Sequence, residues 1–245
     1  MNLCKPRTWL DNLPFSIHQQ ARLLIRWLNR LLSGKCNLLG DRDIEWSWIA
    51  SQMPEGPGDA LDFGPGNSCL GLVGALRGFR VIAIDLEDLQ RPYQHPDLRY
   101  LKSDILDTRF PENQFDLVIN CSTVEHVGLK DRFGVTVPEE DGDLDAMNHL
   151  IKVMKPSGVM LLTIPVGKDA NYGPLHRVYG NWTLPRLLAG YHIEKEEFWI
   201  KDKKNRWVES DKESALGFQP SVSYLYPPRC SYALGCFVLR AIVQK

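Results

Sequence analysis

The segment at residues 62–67 joins a carboxylate to two glycines in a tight turn that leads from a predicted strand into a predicted helix. Gly64 and Gly66 have no Cβ, so a ligand can approach the main chain closely, and glycine adopts a positive φ without steric cost. Asp62 disfavours a pyrophosphate here and favours a cationic ligand, because unit charges about 4 Å apart interact by roughly 4 kcal/mol at an effective dielectric constant of about 20. Cys69 stands where the G-x-G-x-x-G dinucleotide fingerprint has its third glycine, which argues against the close helix and pyrophosphate approach of that motif.

Two further carboxylates end the next two predicted strands. Asp85 closes the second strand and can accept hydrogen bonds from both hydroxyls of a ribose. Asp104 follows the third strand. Together with Asp62, these residues indicate a ligand that has a ribose, a base and a cationic tail.

The elements that must position these residues alternate between strand and helix. Short apolar or β-branched runs predict buried parallel strands near residues 60–63, 81–84, 99–102, 115–120 and 159–164. Periodic apolar residues predict helices near residues 17–32, 42–53, 69–76, 144–154 and 184–189. Two more strands are predicted near residues 192–199 and 234–242, with a polar excursion at residues 201–219 between them. We therefore expect an α/β fold with a Rossmann-like, seven-stranded, mostly parallel, doubly wound sheet, an antiparallel C-terminal strand and an N-terminal helical cap.

The sequence resembles class I S-adenosylmethionine-dependent methyltransferases over about residues 58–200. The resemblance is carried by ALDFGPGNS (60–68), VIAIDLED (81–88), YLKSDILD (100–107), FDLVINCSTVEHVG (115–128) and MKPSGVMLLTIP (154–165). It implies a methyltransferase domain at residues 58–245 that follows a helical cap at residues 1–57. The string PVGKDANYGPLHRVYG at residues 165–180 is similar to an uncharacterised branch of this superfamily, so the resemblance does not name the methyl acceptor.

The resemblance also implies S-adenosyl-L-methionine as the cofactor and assigns residues to its parts. The implied binding residues are Asp62, Gly64 and Gly66 at the methionine moiety, Asp85 at the ribose, Asp104 with Ile105 at the adenine, and Cys121 near the sulfonium. Leu86 is a further implied cofactor-binding residue.

Two histidines are candidate catalytic residues. A general base is needed only if the acceptor is a hydroxyl or a protonated amine, and it must lie on a loop after the fourth or fifth strand. His126 follows the fourth strand and His176 lies in the loop after the fifth. Each is a candidate base or acceptor clamp, and each is also explained by packing or by a surface loop. Glu125 and Ser122 have the spacing of a capping box, which predicts that Glu125 starts a helix.

Other polar residues of the second loop are candidate acceptor-binding groups, although a solvated loop explains them equally well. They are Lys168, Asp169, Arg177 and Tyr179.

The acceptor is expected to be a small molecule or a carbohydrate-like compound, methylated at oxygen. After the fourth strand the chain reads Asn-Cys-Ser-Thr at residues 120–123, not the N/D-P-P-Y/F turn of nucleic-acid amino-methyltransferases. Cys121 also lacks the neighbouring proline that marks C5-cytosine enzymes. Two alternatives remain open: an NAD(P)-dependent oxidoreductase, and a non-catalytic binding protein that keeps the methyltransferase fold.

Composition limits the partners further. With 29 basic and 30 acidic residues the net charge is −1, so no overall positive field attracts a nucleic acid. The acidic run at residues 139–145 lacks the glycine and the final glutamate of a calcium-binding loop, and no metal is expected. Six cysteines without a C-x-x-C pair, and no signal peptide, predict reduced thiols and a cytoplasmic protein.

The first 42 residues carry seven basic and two acidic side chains. The predicted helix within residues 17–33 has an apolar face and an arginine-rich face, which also fits a helix at a membrane surface. We favour packing over the donor pocket as part of the cap. The sequence does not fix an oligomeric state.

Overall fold

The computed structural model describes residues 41–89, 91–130, 135, 137–223 and 229–242. The helix predicted within residues 17–33 lies outside these residues. The chain divides into two compact units, the smaller of residues 1–37 and 221–231 and the larger of residues 38–220 and 232–245. The boundary predicted at residue 57 stays a prediction.

The larger unit is built on one mixed sheet of eight strands in the order β3-β2-β1-β4-β5-β12-β8-β9. The strands are β1 (Gly58–Phe63), β2 (Phe79–Asp85), β3 (Leu98–Lys102), β4 (Phe115–Cys121), β5 (Met154–Val166), β8 (Tyr191–Lys201), β9 (Trp207–Ser210) and β12 (Ala233–Ala241). Strands β1 to β5 are parallel, whereas β12 is antiparallel to both β5 and β8. The Rossmann-like class is confirmed, with the C-terminal strand between β5 and β8.

The predicted number of seven strands is wrong because β9 lies in the segment read as a polar excursion. Only Trp207 of this edge strand is buried, and the rest of it is largely open to solvent, so it shows no apolar run. The same excursion also contains the short helix α5 (Lys212–Gly217). Two small hairpins were likewise not predicted: β6 (Ala170–Asn171) with β7 (Arg177–Val178), and β10 (Ser221–Ser223) with β11 (Arg229–Ser231).

Helices cover both faces of the large sheet and enclose one apolar cluster on each. Helices α1 (Asp41–Gln52) and α2 (Leu70–Leu76) lie on one face, and α3 (Gly142–Val153) and α4 (Thr183–Leu187) lie on the other. The stripe of Ile44, Trp48 and Ile49 fixes the buried face of α1. No helix among the described residues has the length and apolar character needed to cross a membrane.

The connection from β2 to β3 contains no helix in its described residues. Its chain instead folds back towards the turn after β1. This places the side chains of Arg91 and Tyr93 beside that turn, against Gly66 and Ser68.

Candidate active site

The turn after β1 has the backbone predicted for it, and its two glycines have different surroundings. Gly64 and Gly66 have φ values of +62° and +48°, which favour glycine. A Cβ on Gly66 would meet nothing closer than 4.0 Å, so a ligand can approach this residue. A Cβ on Gly64 would lie 2.1 Å from Cγ2 of Thr123. The space beside Gly64 is therefore occupied by the side chain of Thr123 and is not open to a ligand.

Asp62 lies beneath this turn and is 1% exposed. The main-chain amide of Gly71 hydrogen-bonds the carboxylate, whereas Oδ1 is buried and has no hydrogen-bond partner. Burial raises the pKa of Asp62 to about 7, against the opposing effects of the Gly71 amide and of the positive charge on Arg91. The site thus holds a carboxyl group that is partly ionised at neutral pH and has an unsatisfied oxygen.

Helix α2 does approach β1 closely, although Cys69 replaces the third glycine of the dinucleotide fingerprint. The approach is made at Gly71, where a Cβ would lie 2.8 Å from Oδ2 of Asp62. Cys69 itself is exposed. A glycine two residues after Cys69 thus performs the packing role that the fingerprint gives to its third glycine.

Asp85 and Asp104 lie where the sequence places them, at the carboxyl ends of β2 and β3. Oδ2 of Asp85 accepts a hydrogen bond of 3.1 Å from the Gly66 amide, and Oδ1 accepts one from the Glu87 amide. Oδ1 of Asp104 accepts from the Leu106 amide. The Ser103 amide donates to the Asp85 carbonyl oxygen and joins the two strand ends. Of the apolar residues named with them, Leu86 is partly buried and Ile105 is buried.

Arg91 and Tyr93 are site residues that sequence reasoning missed. Arg91 donates to the carbonyl oxygen of Gly66, and its guanidinium lies 5.8 Å from the ring centre of Tyr100. The Tyr93 hydroxyl donates to the Ser68 carbonyl oxygen over 3.1 Å. Two side chains of the loop after β2 therefore stabilise the glycine turn by hydrogen bonds to its carbonyl oxygens.

The turn after β4 is strained and does not form the predicted capping box. Ser122 has a φ of +48°, a conformation that costs a residue with a side chain about 1–3 kcal/mol. Its hydroxyl donates to Glu45 of α1, and the helix that follows has no side-chain cap hydrogen bond. A short 3₁₀ helix, Val124–His126, follows without a side-chain cap. Glu125 therefore lies in the first turn of a helix, as predicted, but the capping box itself is not formed, because the N-cap residue is Thr123 and makes no side-chain cap hydrogen bond.

Cys121 is buried at the end of β4, with its Sγ 3.6 Å from the hydroxyl of Thr163. Burial, together with the nearby carboxylate of Glu45, raises the pKa of this thiol well above its usual value. Cys121 is therefore a neutral, apolar side chain of this site.

His126 follows the β4 turn, and its side chain is 14% exposed. Its Nε2 lies 3.6 Å from Oε1 of Glu125, a carboxylate that is almost fully buried. The amide of His126 donates to the carbonyl oxygen of Thr123, which ties it to the turn that contacts Gly64. An acidic neighbour at this distance stabilises a protonated imidazole.

His176 has a different environment, since it is only 6% exposed. Its ring centre lies 5.9 Å from that of Tyr172 and 5.2 Å from that of Tyr232. This arrangement is typical of an aromatic packing cluster.

The other polar residues proposed for this loop also make contacts within the protein. Lys168 is exposed, and its main-chain amide donates to the carbonyl oxygen of Phe218. Arg177 donates to the carbonyl oxygens of Val127 and Glu140 over 2.6 and 3.0 Å. The buried hydroxyl of Tyr179 donates to Asp143 over 2.8 Å. Burial alone would raise the pKa of Asp169, but hydrogen bonds from residues 180–183 at the start of α4 lower it. The hydrogen bonds of Arg177, Tyr179 and Asp169 therefore stabilise the conformation of the loop after β5.

The sheet order and the site at the carboxyl ends of β1, β2 and β4 define the class I S-adenosylmethionine-dependent methyltransferase fold, as the sequence resemblance implied. A structure of 1,6-didemethyltoxoflavin-N1-methyltransferase from Burkholderia thailandensis has a TM-score of 0.52 and 12% identity, covering 98% of this chain and 94% of that one. A TehB-like SAM-dependent methyltransferase from Corynebacterium glutamicum has a TM-score of 0.52 and 18% identity, covering 94% and 100%. At these identities the likeness establishes the fold.

One family model matches part of the chain. A family model described as "Caenorhabditis protein of unknown function, DUF268" matches residues 103–214. This range contains β4, the 3₁₀ helix and the loop after β5. No curated protein matches the chain by sequence.

Proposed function

We propose that this protein transfers a methyl group from S-adenosylmethionine to a small-molecule or carbohydrate-like acceptor, at oxygen. The observation that carries the proposal is the open side of Gly66 between two carboxylates, Asp85 at the end of the next strand and Asp62 beneath the turn. This arrangement suits a ligand with ribose hydroxyls at one end and a positive charge at the other.

The residues present fit S-adenosylmethionine. Asp85 would hold the ribose, Asp104 and Ile105 would lie at the adenine, and the unsatisfied Oδ1 of Asp62 would stabilise the cationic end. When bound, this compound supplies a methyl group that is already activated by a positively charged sulfur. The protein therefore has mainly to align the two reactants, which can lower a barrier by roughly 7–11 kcal/mol.

A hydroxyl acceptor needs a base, and the geometry favours His126 over His176 for that role. His126 is partly exposed beside the β4 turn, and the Glu125 carboxylate stabilises the imidazolium that forms when it takes a proton. His176 would instead support the acceptor loop through its contacts with Tyr172 and Tyr232.

A small-molecule acceptor is in line with one structural relative. The Burkholderia protein was solved with 1,6-didemethyltoxoflavin and S-adenosylhomocysteine bound, and its name places methylation at N1. Oxygen as the acceptor atom in this chain rests on the residues at 120–123 and on His126.

Titration calorimetry with S-adenosylmethionine, S-adenosylhomocysteine and NAD tests the donor. We expect binding of the first two and none of NAD; binding of NAD alone would favour the oxidoreductase. Transfer of a labelled methyl group to a panel of hydroxylated small molecules and sugars tests the reaction. Tight donor binding without transfer to any compound of a broad panel would favour a non-catalytic binding protein.

A further inference from the structure

A carboxylate from helix α1 is buried against the carboxyl ends of the central strands. Glu45 is 0% exposed. Its Oε1 accepts hydrogen bonds from the hydroxyl of Ser122 and, over 3.0 Å, from that of Thr163. Its Oε2 lies 2.9 Å from Nη1 of Arg42, one turn earlier in the same helix. One carboxylate oxygen thus accepts from Ser122 and Thr163, and the other forms an ion pair with Arg42 of the same helix.

Ser122 connects this carboxylate to the glycine turn. Ser122 has a positive φ, which few residues other than glycine adopt without a compensating contact. The next residue, Thr123, donates to the carbonyl oxygen of Gly64 over 3.0 Å. The order of contacts therefore runs from Glu45 through Ser122 and Thr123 to Gly64.

We propose that Glu45 is a positioning residue: it holds Ser122 in its left-handed conformation and thereby sets Thr123 against the donor-binding turn. The inference rests on the proposed function, since it concerns the binding of the same donor. It assigns to α1, which precedes the nucleotide-binding elements along the chain, a direct part in shaping their site.

The physical reason lies in the burial of a charge. A carboxylate removed from water is destabilising unless hydrogen bonds and an ion pair compensate, so Glu45 is most stable when both hydroxyls point to it. This preference selects one conformation of the β4 turn. Without the carboxylate, the Ser122 hydroxyl loses its acceptor, and the main-chain hydrogen bond from the Ser122 amide to the Thr163 carbonyl oxygen is left to oppose the strain of the positive φ. The β4 turn is then expected to relax.

The first test compares two variants on the same face of α1 by calorimetry with S-adenosylhomocysteine. Glu45→Ala should weaken binding about tenfold, the scale of one lost hydrogen bond. Ile49→Ala removes buried apolar packing one turn later and should lower Tm without changing affinity by more than about twofold. Glu45→Gln keeps an oxygen for both hydroxyls and should stay within about threefold of wild type.

The second test does not depend on the stability of Glu45→Ala. Ser122→Ala removes the hydroxyl and still has a Cβ that disfavours positive φ, so it should lose affinity about tenfold. Ser122→Gly also lacks the hydroxyl but adopts this backbone freely, so it should bind nearly as wild type does.

Equal affinities for Glu45→Ala and Ile49→Ala, or for Ser122→Ala and Ser122→Gly, would overturn the positioning role while leaving the proposed function intact. Failure of the wild-type protein to bind either S-adenosylmethionine or S-adenosylhomocysteine would instead overturn both.

Discussion

The side chain of Thr123 lies directly on Gly64. Its hydroxyl donates to the Gly64 carbonyl oxygen over 3.0 Å, and its methyl group fills the space that a Cβ on Gly64 would need. The turns after β1 and β4 are therefore packed against each other at atomic contact. A change in either turn is transmitted to the other, which makes this pair a direct way to test the site.

Gly64→Ala should destabilise the protein and weaken donor binding. The new Cβ would meet Thr123 at 2.1 Å and would sit on a residue with φ of +62°. Overpacking and a left-handed alanine together should lower the free energy of unfolding by roughly 2–4 kcal/mol, measured by denaturant titration. Adding Thr123→Ala removes the methyl group and should recover part of this loss. A double variant no more stable than Gly64→Ala would contradict the contact.

The affinity for S-adenosylmethionine should increase with pH around neutrality. Asp62 has a pKa of about 7, and a cation binds its ionised form more tightly. Calorimetry between about pH 6 and 8 should show an increase of up to about tenfold. The uncharged sulfur of S-adenosylhomocysteine should give a smaller increase, and Asp62→Asn should remove the difference between the two ligands. Parallel curves in the wild-type protein would place Asp62 away from the charged sulfur.

The same residue predicts a pH dependence of stability. The folded-state pKa of Asp62 is raised from 3.8 to about 7, so its protonated form stabilises the folded protein. This contribution is fully present below about pH 4 and is lost as the pH rises to about 7. The free energy of unfolding of wild type, relative to Asp62→Asn, should decrease over this range. A constant difference between the two proteins would contradict the raised pKa.

Asp85→Ala should weaken both ligands equally, because both carry the same ribose. The expected loss is roughly 2–4 kcal/mol of binding free energy, the scale of a truncated charged hydrogen-bonding group. Part of this loss comes from the Gly66 amide, which donates to Asp85 over 3.1 Å. Thermal shift or calorimetry with both ligands measures it, and an unchanged affinity would remove Asp85 from the site.

His126→Asn should lower kcat for a hydroxyl acceptor by roughly 10²–10⁴-fold and leave the KM for S-adenosylmethionine near its wild-type value, as expected for loss of a base. His176→Phe preserves an aromatic ring beside Tyr172 and Tyr232 and should retain far more activity. Labelled methyl transfer measures both variants. The reverse order of activities would assign the base to His176.

Much of the sheet could be predicted because its signals are local. The parallel strands are apolar runs. The turn after β1 is marked by Gly64 and Gly66, the residue type that adopts a positive φ most readily. Trp207 shows the limit: an edge strand with one buried side chain carries too little pattern to be recognised. The capping box at Ser122 failed for a related reason, since the conformation of this residue depends on a tertiary contact with Glu45 that the local motif does not show.

The site residues that were missed act across long separations in sequence. Glu45 and Ser122 are 77 residues apart, and Arg91 and Gly66 are 25 apart. Glu45 did leave one signal, because it shares the buried stripe of α1 with Trp48 and Ile49. A lone carboxylate on such a stripe indicates a buried polar partner, but it does not say which strand supplies it.

The position of β12 also has a consequence for how the protein is assembled. Strands β8 and β9 join the sheet through β12, which follows both of them along the chain. While the chain is being synthesised, the parallel strands β1 to β5 can already pair with one another. The outer strands therefore have no partner in the parallel part of the sheet until residues 233–241 have left the ribosome.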